Sequence, residues 1–241
     1  MSSTEAGKAL VVGGSSGIGL ASAADLLKRG FQVHVVGRNA DRLSGAERTV
    51  GGIVTHQADA GSAAEIRAVA SAIGPIDVLV ITVSGSEGMG PIADLDLAML
   101  RRVFNDKFWA HLTTLQGALP HLTETASITL VGAITARTAM AGTAGIGAVN
   151  AAVEALVKPL AVELAPRRVN AVSPGFVDTP WWSGMPDSDK KAYFEQSAKI
   201  LPVGKIGTPE EVAEAILLLA TNKNITGTVI ETDGGARLVT L

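Results

Sequence analysis

Short runs rich in β-branched residues alternate with longer Ala- and Leu-rich stretches of helical period along the whole chain. The short runs lie at 9–12, 32–36, 53–56, 78–82, 127–131, 168–172 and 228–231; the helical stretches lie near 18–29, 63–73, 97–122, 144–164 and 210–220. Within the runs the apolar residues are nearly continuous rather than alternating, as in strands covered on both faces. Strand and helix taken in turn make βαβ units. The pattern predicts an α/β fold: a doubly wound parallel sheet of about seven strands with helices on both faces. Thr208 followed by Pro209 reads as the N-cap and first turn of the last helix.

No linker rich in Ser, Gly or Pro divides the 241 residues, and no fixed-period repeat appears. One domain spanning 1–241 is expected. The alternation lapses only at about 176–207, where Pro180, Trp181, Trp182, Gly184, Pro186 and Pro202 cluster; a segment of that length in a compact domain reads as a lid. Asp187, Asp189, Lys190 and Lys191 within it read as a solvated helix.

Composition narrows the function classes. The chain is 47% hydrophobic and 18% charged with a formal net charge of −3, so it has neither the bias of a disordered chain nor a basic field for nucleic acid. With no Cys there are no disulfides, thiol nucleophiles or thiolate metal sites, and His111 and His121 have the wrong spacing for a helical metal pair, so no metal is expected. His34 and His56 read as sheet residues. Neither a secretory signal nor an apolar run of bilayer length is evident, and the expectation is a cytoplasmic protein with no membrane partner.

The first strand runs into Gly13-Gly14-Ser15-Ser16-Gly17-Ile18-Gly19 and then a helix. Glycines in a strand-to-helix turn let the backbone approach a pyrophosphate, whose charge rests on the helix's first N–H groups and dipole. Together with Val12 in place of Thr, this stretch resembles the TGxxxGxG turn of the short-chain dehydrogenase/reductase family, and the resemblance runs through essentially the whole chain. It implies a Rossmann-type fold, an oxidoreductase activity on a small-molecule substrate, and a homotetramer or homodimer joined through 97–122 and 144–164. It also implies site residues: Gly13, Ser15, Ser16, Gly17, Ile18 and Gly19 for the phosphates, with Asp59 and Ala60 beside the adenine. Pro174, Gly175, Val177 and Thr179 would lie along the nicotinamide loop, and Asn105 would be the helix asparagine of the active-site tetrad. Ile225-Thr226-Gly227 and Asp233-Gly234-Gly235 resemble the closing strand and its turn.

The second strand ends in Gly37-Arg38-Asn39 with no carboxylate to bind a ribose 2′-OH, and Arg38 suits a 2′-phosphate, helped by the hydroxyl of Ser15 or Ser16. The dinucleotide expected is NADP(H); without one, Arg38 is a solvated turn residue. The family's chemistry, a Tyr whose pKa a Lys four residues on lowers and a Ser on the substrate oxygen, falls on Ile146, Asn150 and Ala133. Ile146 has no proton to give; Asn150 can hydrogen-bond a ribose hydroxyl but carries no charge. The chain has a single tyrosine, Tyr193, so no register yields a YxxxK pair, and neither Lys107 nor Lys158 has a Tyr four positions before it. Tyr193 is either a substitute acid or a lid aromatic that packs. Trp181 and Trp182 either wall an apolar substrate pocket or pack at an interface or core. Three readings follow: an NADP(H)-dependent oxidoreductase with altered catalytic residues, a non-catalytic dinucleotide-binding sensor or subunit, and a non-redox reaction in the same pocket.

Overall fold

Seven strands pair in the order β3-β2-β1-β4-β5-β6-β7, every pair parallel, in the computed structural model, which describes residues 6–85 and 87–239. They are β1 (Lys8–Val12), β2 (Gln32–Gly37), β3 (Val54–Gln57), β4 (Ile76–Ile81), β5 (Leu122–Val131), β6 (Arg168–Pro174) and β7 (Val229–Thr232). The helices are α1 (Gly17–Lys28), α2 (Ala40–Thr49), α3 (Ala63–Ile73), α4 (Leu97–Phe104), α5 (Ala110–Ala118), α6 (Ala144–Ala155), α7 (Val157–Glu163), α8 (Asp187–Ile200) and α9 (Pro209–Thr221). Successive side chains along a strand point to opposite faces, so each strand supplies two cores. Leu10 and Val12 of β1 join Leu79, Ile128 and Val153 beneath α3, α5 and α6, whereas Ala9 and Val11 join Leu26, Val80 and Ile216 beneath α1, α2 and α9.

The strand order reverses between β1 and β4, where the chain stops winding toward β3 and begins again on the other side. Val12 pairs with both Val36 and Ile81, so the carboxyl ends of β2, β1 and β4 finish level and the connections part there. A crevice at such a reversal is where open α/β sheets bind ligands.

Three helical readings are revised. α2 was not expected; Asn39 caps it by accepting from the Arg42 N–H at 2.8 Å, but only Leu43 and Ala46 are buried, too few to mark a period. The stretch 97–122 is not one helix: a π-turn at Asn105–Trp109 separates α4 from α5, and Leu119–His121 is a 3-10 turn. The stretch 144–164 divides at Leu156, because Pro159 has no N–H to continue the ladder from α6. By length and composition Ala144–Glu163 could span a bilayer, contrary to the reading from apolar runs. Gly145, Gly147, Val149, Val153 and Val157 of this helix pair are nonetheless packed inside the molecule.

The stretch 176–207 folds as a 3-10 turn (Pro180–Gly184) and α8. Its ends meet: Val177 and Gly207 form a parallel bridge, with Gly207 N–H donating to Phe176 O at 2.9 Å and Asp178 N–H to Gly207 O at 3.1 Å.

Candidate active site

A cleft of about 880 Å³ opens over the carboxyl ends of β1 and β4, and the candidate catalytic and cofactor-binding residues named from the sequence all line it. At one end is the glycine turn. Gly13 has φ +87°, and a Cβ there would sit 2.7 Å from Thr82 Oγ1; a Cβ on Gly19 would come within 2.4 Å of Gly13 O. Only glycine lets the turn close this tightly on β4. Ser16 is the N-cap of α1 yet makes no side-chain cap hydrogen bond, which leaves the helix's first N–H groups without that partner. Thr179, after β6, lies against Gly17, a Cβ on which would be 3.3 Å from the threonine Cβ. The phosphate turn and the 174–179 loop thus form one continuous wall.

Beyond β2 the wall carries two cations, Arg38 and Arg42. Arg42 was missed because it belongs to the unforeseen first turn of α2. Among the described residues neither guanidinium is in an ion pair. Asp59 is held by the Gly61 N–H on its Oδ1 at 2.9 Å, and the carbonyl of Ala60 by the Thr114 hydroxyl at 3.3 Å.

The inner end holds Ala133, Ile146 and Asn150 together with Thr135. Asn150 is buried; its Nδ2 donates to Thr135 Oγ1 at 2.8 Å and to Ile146 O at 3.0 Å, and its Oδ1 has no partner among the described residues. Asn105 is exposed at the rim. The inward residue of its turn is Lys107, 6% exposed, whose Nζ donates to Gly132 O at 3.1 Å. Burial pulls its ammonium from the ordinary 10.5 down to about 8, with the Glu154 carboxylate opposing the shift. His111, one turn further, is fully buried with Nδ1 2.7 Å from Lys107 O and Nε2 3.2 Å from Ile81 O. Burial and then the Lys107 charge lower its pKa to about 4 against the pull of those carbonyls; the neutral ring has one N–H and donates to only one of them.

Aromatic side chains roof the cleft. Trp181 Nε1 donates to Gly85 O at 2.8 Å, tying 176–207 to the loop after β4, and Trp182 Nε1 donates to Val177 O at 3.0 Å. Tyr193 packs among Phe176, Trp182 and Phe194. Burial raises its pKa, with the Ser197 hydroxyl pulling the other way, the reverse of what an activated phenol needs.

Residues 12–237 match the family model described as enoyl-(acyl carrier protein) reductase. The cis-4-hydroxycyclohexanecarboxylate dehydrogenase of Sinomonas cyclohexanicum is 35% identical over 240 residues, 94% of this chain and 95% of that protein. The chain belongs to the short-chain dehydrogenase/reductase family. Another member, carbonyl reductase family member 4 of Xenopus laevis, is 30% identical, with 95% of this chain and 97% of that protein aligned. Among solved structures of the family, a small-chain dehydrogenase in complex with NADPH superposes with a TM-score of 0.85 at 34% identity, covering 97% of this chain and 100% of that one. ElxO with NADP bound gives a TM-score of 0.87 at 26% identity, covering 96% and 99%. Membership makes this chain an oxidoreductase of the short-chain type, in a family that binds a nicotinamide dinucleotide.

Proposed function

We propose that this chain is an NADP(H)-dependent oxidoreductase that reduces or oxidises a small, largely apolar substrate without the family's Ser, Tyr and Lys. The observation that carries the cofactor choice is the pair Arg38 and Arg42 on the cleft wall at the end of β2, with no carboxylate paired to either among the described residues. Two guanidiniums favour a 2′-phosphate, and no acidic side chain ends the strand to repel one. The complexes with NADPH and NADP among the similar structures support the same choice. The rest of the cleft fits such a ligand: the glycine turn leaves room and bare N–H groups for the pyrophosphate, and the partnerless Asn150 Oδ1 is a buried acceptor for a ribose hydroxyl. Asp59 and Ala60 would face the adenine, and Pro174, Gly175, Val177 and Thr179 the nicotinamide side. Bound there, the dinucleotide supplies or takes up the hydride.

Ala133, Ile146 and Asn150 occupy the positions that the resemblance gives to the catalytic Ser, Tyr and Lys, and all three line the same inner end of the cleft. A methyl, a branched alkyl and a neutral amide cannot carry out that acid–base chemistry. Met89, Val103, Met140, Phe176, Trp181 and Trp182 make the remaining walls apolar, and 176–207 acts as the lid over them. The name of the Sinomonas relative suggests a cyclohexane ring alcohol as a first substrate to try. The enzyme works as one domain and as a homodimer or homotetramer.

Ile146 in the cleft favours a second reading, a member that binds the dinucleotide and does not turn it over. One experiment separates the two: titration of purified protein with NADPH and NADH, then turnover with the preferred cofactor against aldehydes, cyclic and open-chain ketones, imines and activated alkenes. Tighter NADPH binding with turnover of any of these is expected. Tight binding with none turned over establishes the binding-only reading; failure to bind either cofactor removes both.

A further inference from the structure

Lys107 is a charge in a place where a charge is unfavourable. Its side chain is buried, and burying an ammonium costs several kcal/mol unless it is closely paired. The pairing here is incomplete. Of three N–H donors one goes to Gly132 O, its one side-chain hydrogen bond among the described residues. Glu154 is near, since a Cβ on Gly132 would lie 3.1 Å from its Oε1, but that oxygen has no hydrogen-bond partner among the described residues. Its Oε2 is held by Arg137 Nε at 2.8 Å, and Arg137 also reaches Glu231 at 3.1 Å. One oxygen of the carboxylate that could have neutralised Lys107 is therefore engaged elsewhere, and neither is hydrogen-bonded to the ammonium. Lys107 meanwhile lines the cleft together with Ala133, Thr135, Ile146 and Asn150, none of which carries a proton it can release near neutral pH.

We infer that Lys107 is the proton donor to the substrate oxygen in reduction, and its acceptor in oxidation, replacing the missing phenol. The inference rests on the oxidoreductase reading above and adds the residue that makes it chemically complete. In reduction the carbonyl carbon gains a hydride from the reduced nicotinamide while its oxygen takes a proton from Nζ. The products are an alcohol, oxidised cofactor and a neutral amine, which regains its proton from water. Oxidation reverses each transfer. The charged and titratable groups around it are Glu154 on α6, Arg137 after β5 with Glu231 of β7 behind it, His111 on α5, and Asp106 beside Lys107 at the rim, and of these Glu154 is the one that acts on its titration. Burial dominates among them and keeps the ammonium acidic enough to give up its proton near neutral pH.

Titration of the ligand-free protein and turnover of its variants test this. In the ligand-free protein, NMR of 13C-labelled lysine should show one side chain titrating near 8; its signal should vanish in Lys107→Met, whose Tm at neutral pH should exceed the wild type's because a buried charge is gone. With NADPH and the carbonyl panel, Lys107→Met should lose about a hundredfold or more in kcat/KM while its Kd for NADPH stays unchanged. Lys107→Arg keeps the charge but cannot release the proton, so it should be equally impaired. Wild-type reduction should weaken as pH rises through about 8 and the ammonium is lost. A Lys107 that titrates near 10.5, or either variant turning over within about threefold of wild type, overturns the assignment and leaves the oxidoreductase reading standing. A wild-type protein that binds NADPH and reduces nothing in the panel overturns both.

Discussion

Arg38 leaves the end of β2 with no carboxylate partner among the described residues, so its charge is available to a ligand. Arg38→Asp should weaken NADPH about tenfold or more, the scale of a charge-assisted contact, and leave NADH no worse bound; fluorescence titration of both cofactors checks it, and an unchanged ratio would mean that the residue only closes a turn. A second expectation at this scale concerns acid. Burial lowers the pKa of His34, His56 and His111, with the neighbouring His56 charge also acting on His34 and the Lys107 charge on His111. The unfolded chain then holds more protons than the folded one below the ordinary 6.5, so stability is full above that pH and falls as pH drops through the folded values. For His111, moving from 6.5 to about 4, the loss is on the order of 3 kcal/mol. Melts from about pH 7.5 to 4.5 should show it, with a shallower slope in His111→Gln; a flat Tm counts against the buried neutral ring. The glycine turn and Arg38 were legible because each obeys a local rule about strand ends. Lys107 was not, because matching a motif counts letters while a helix counts angle. Val103, Lys107 and Ala110 are buried, whereas Asn105 is exposed at the rim of the cleft.

For elements, legibility followed burial. Strands buried on both faces announced themselves within a few residues, β5 running further back than its apolar core because Thr123, Glu124 and Thr125 break the pattern at its start. α2 stayed hidden because nearly all of it faces solvent, and the π-turn because apolar spacing continues across it. The start of α9 was readable from chemistry alone. Thr208 Oγ1 accepts from the Glu211 N–H at 3.3 Å, Glu211 Oε2 accepts from the Thr208 N–H at 3.0 Å, and Pro209 occupies the first turn. This reciprocal cap should be worth about 1 kcal/mol, so Thr208→Ala should lower Tm by about 2–4 °C in a chain of this size, measured by calorimetry at neutral pH. No change in Tm would mean that packing of α9 against α1 holds the terminus unaided.

Across the whole molecule, the paired helices α6 and α7 turn Ala148, Ala151, Ala155 and Val162 outward, Val162 being 80% exposed, and Trp109 at the start of α5 is 54% exposed. Small residues beside large apolar ones suit close two-fold contact between identical helices. Light scattering at micromolar concentration should find a dimer or tetramer, and Val162→Glu should shift it toward monomer without lowering NADPH affinity; a wild-type monomer would end the idea. The joined ends of 176–207 carry a different consequence. Because Val177 and Gly207 sit side by side on a fixed base, the chain between them is a closed excursion, and lengthening such an excursion twofold adds only about 0.6 kcal/mol of closure entropy. Sheet, glycine turn and Arg38 lie outside it, while Thr179, Trp181, Trp182 and Tyr193 lie inside. The aromatic roof can therefore change in length and sequence like an exchangeable cassette, while the sheet, the glycine turn and Arg38 stay as they are.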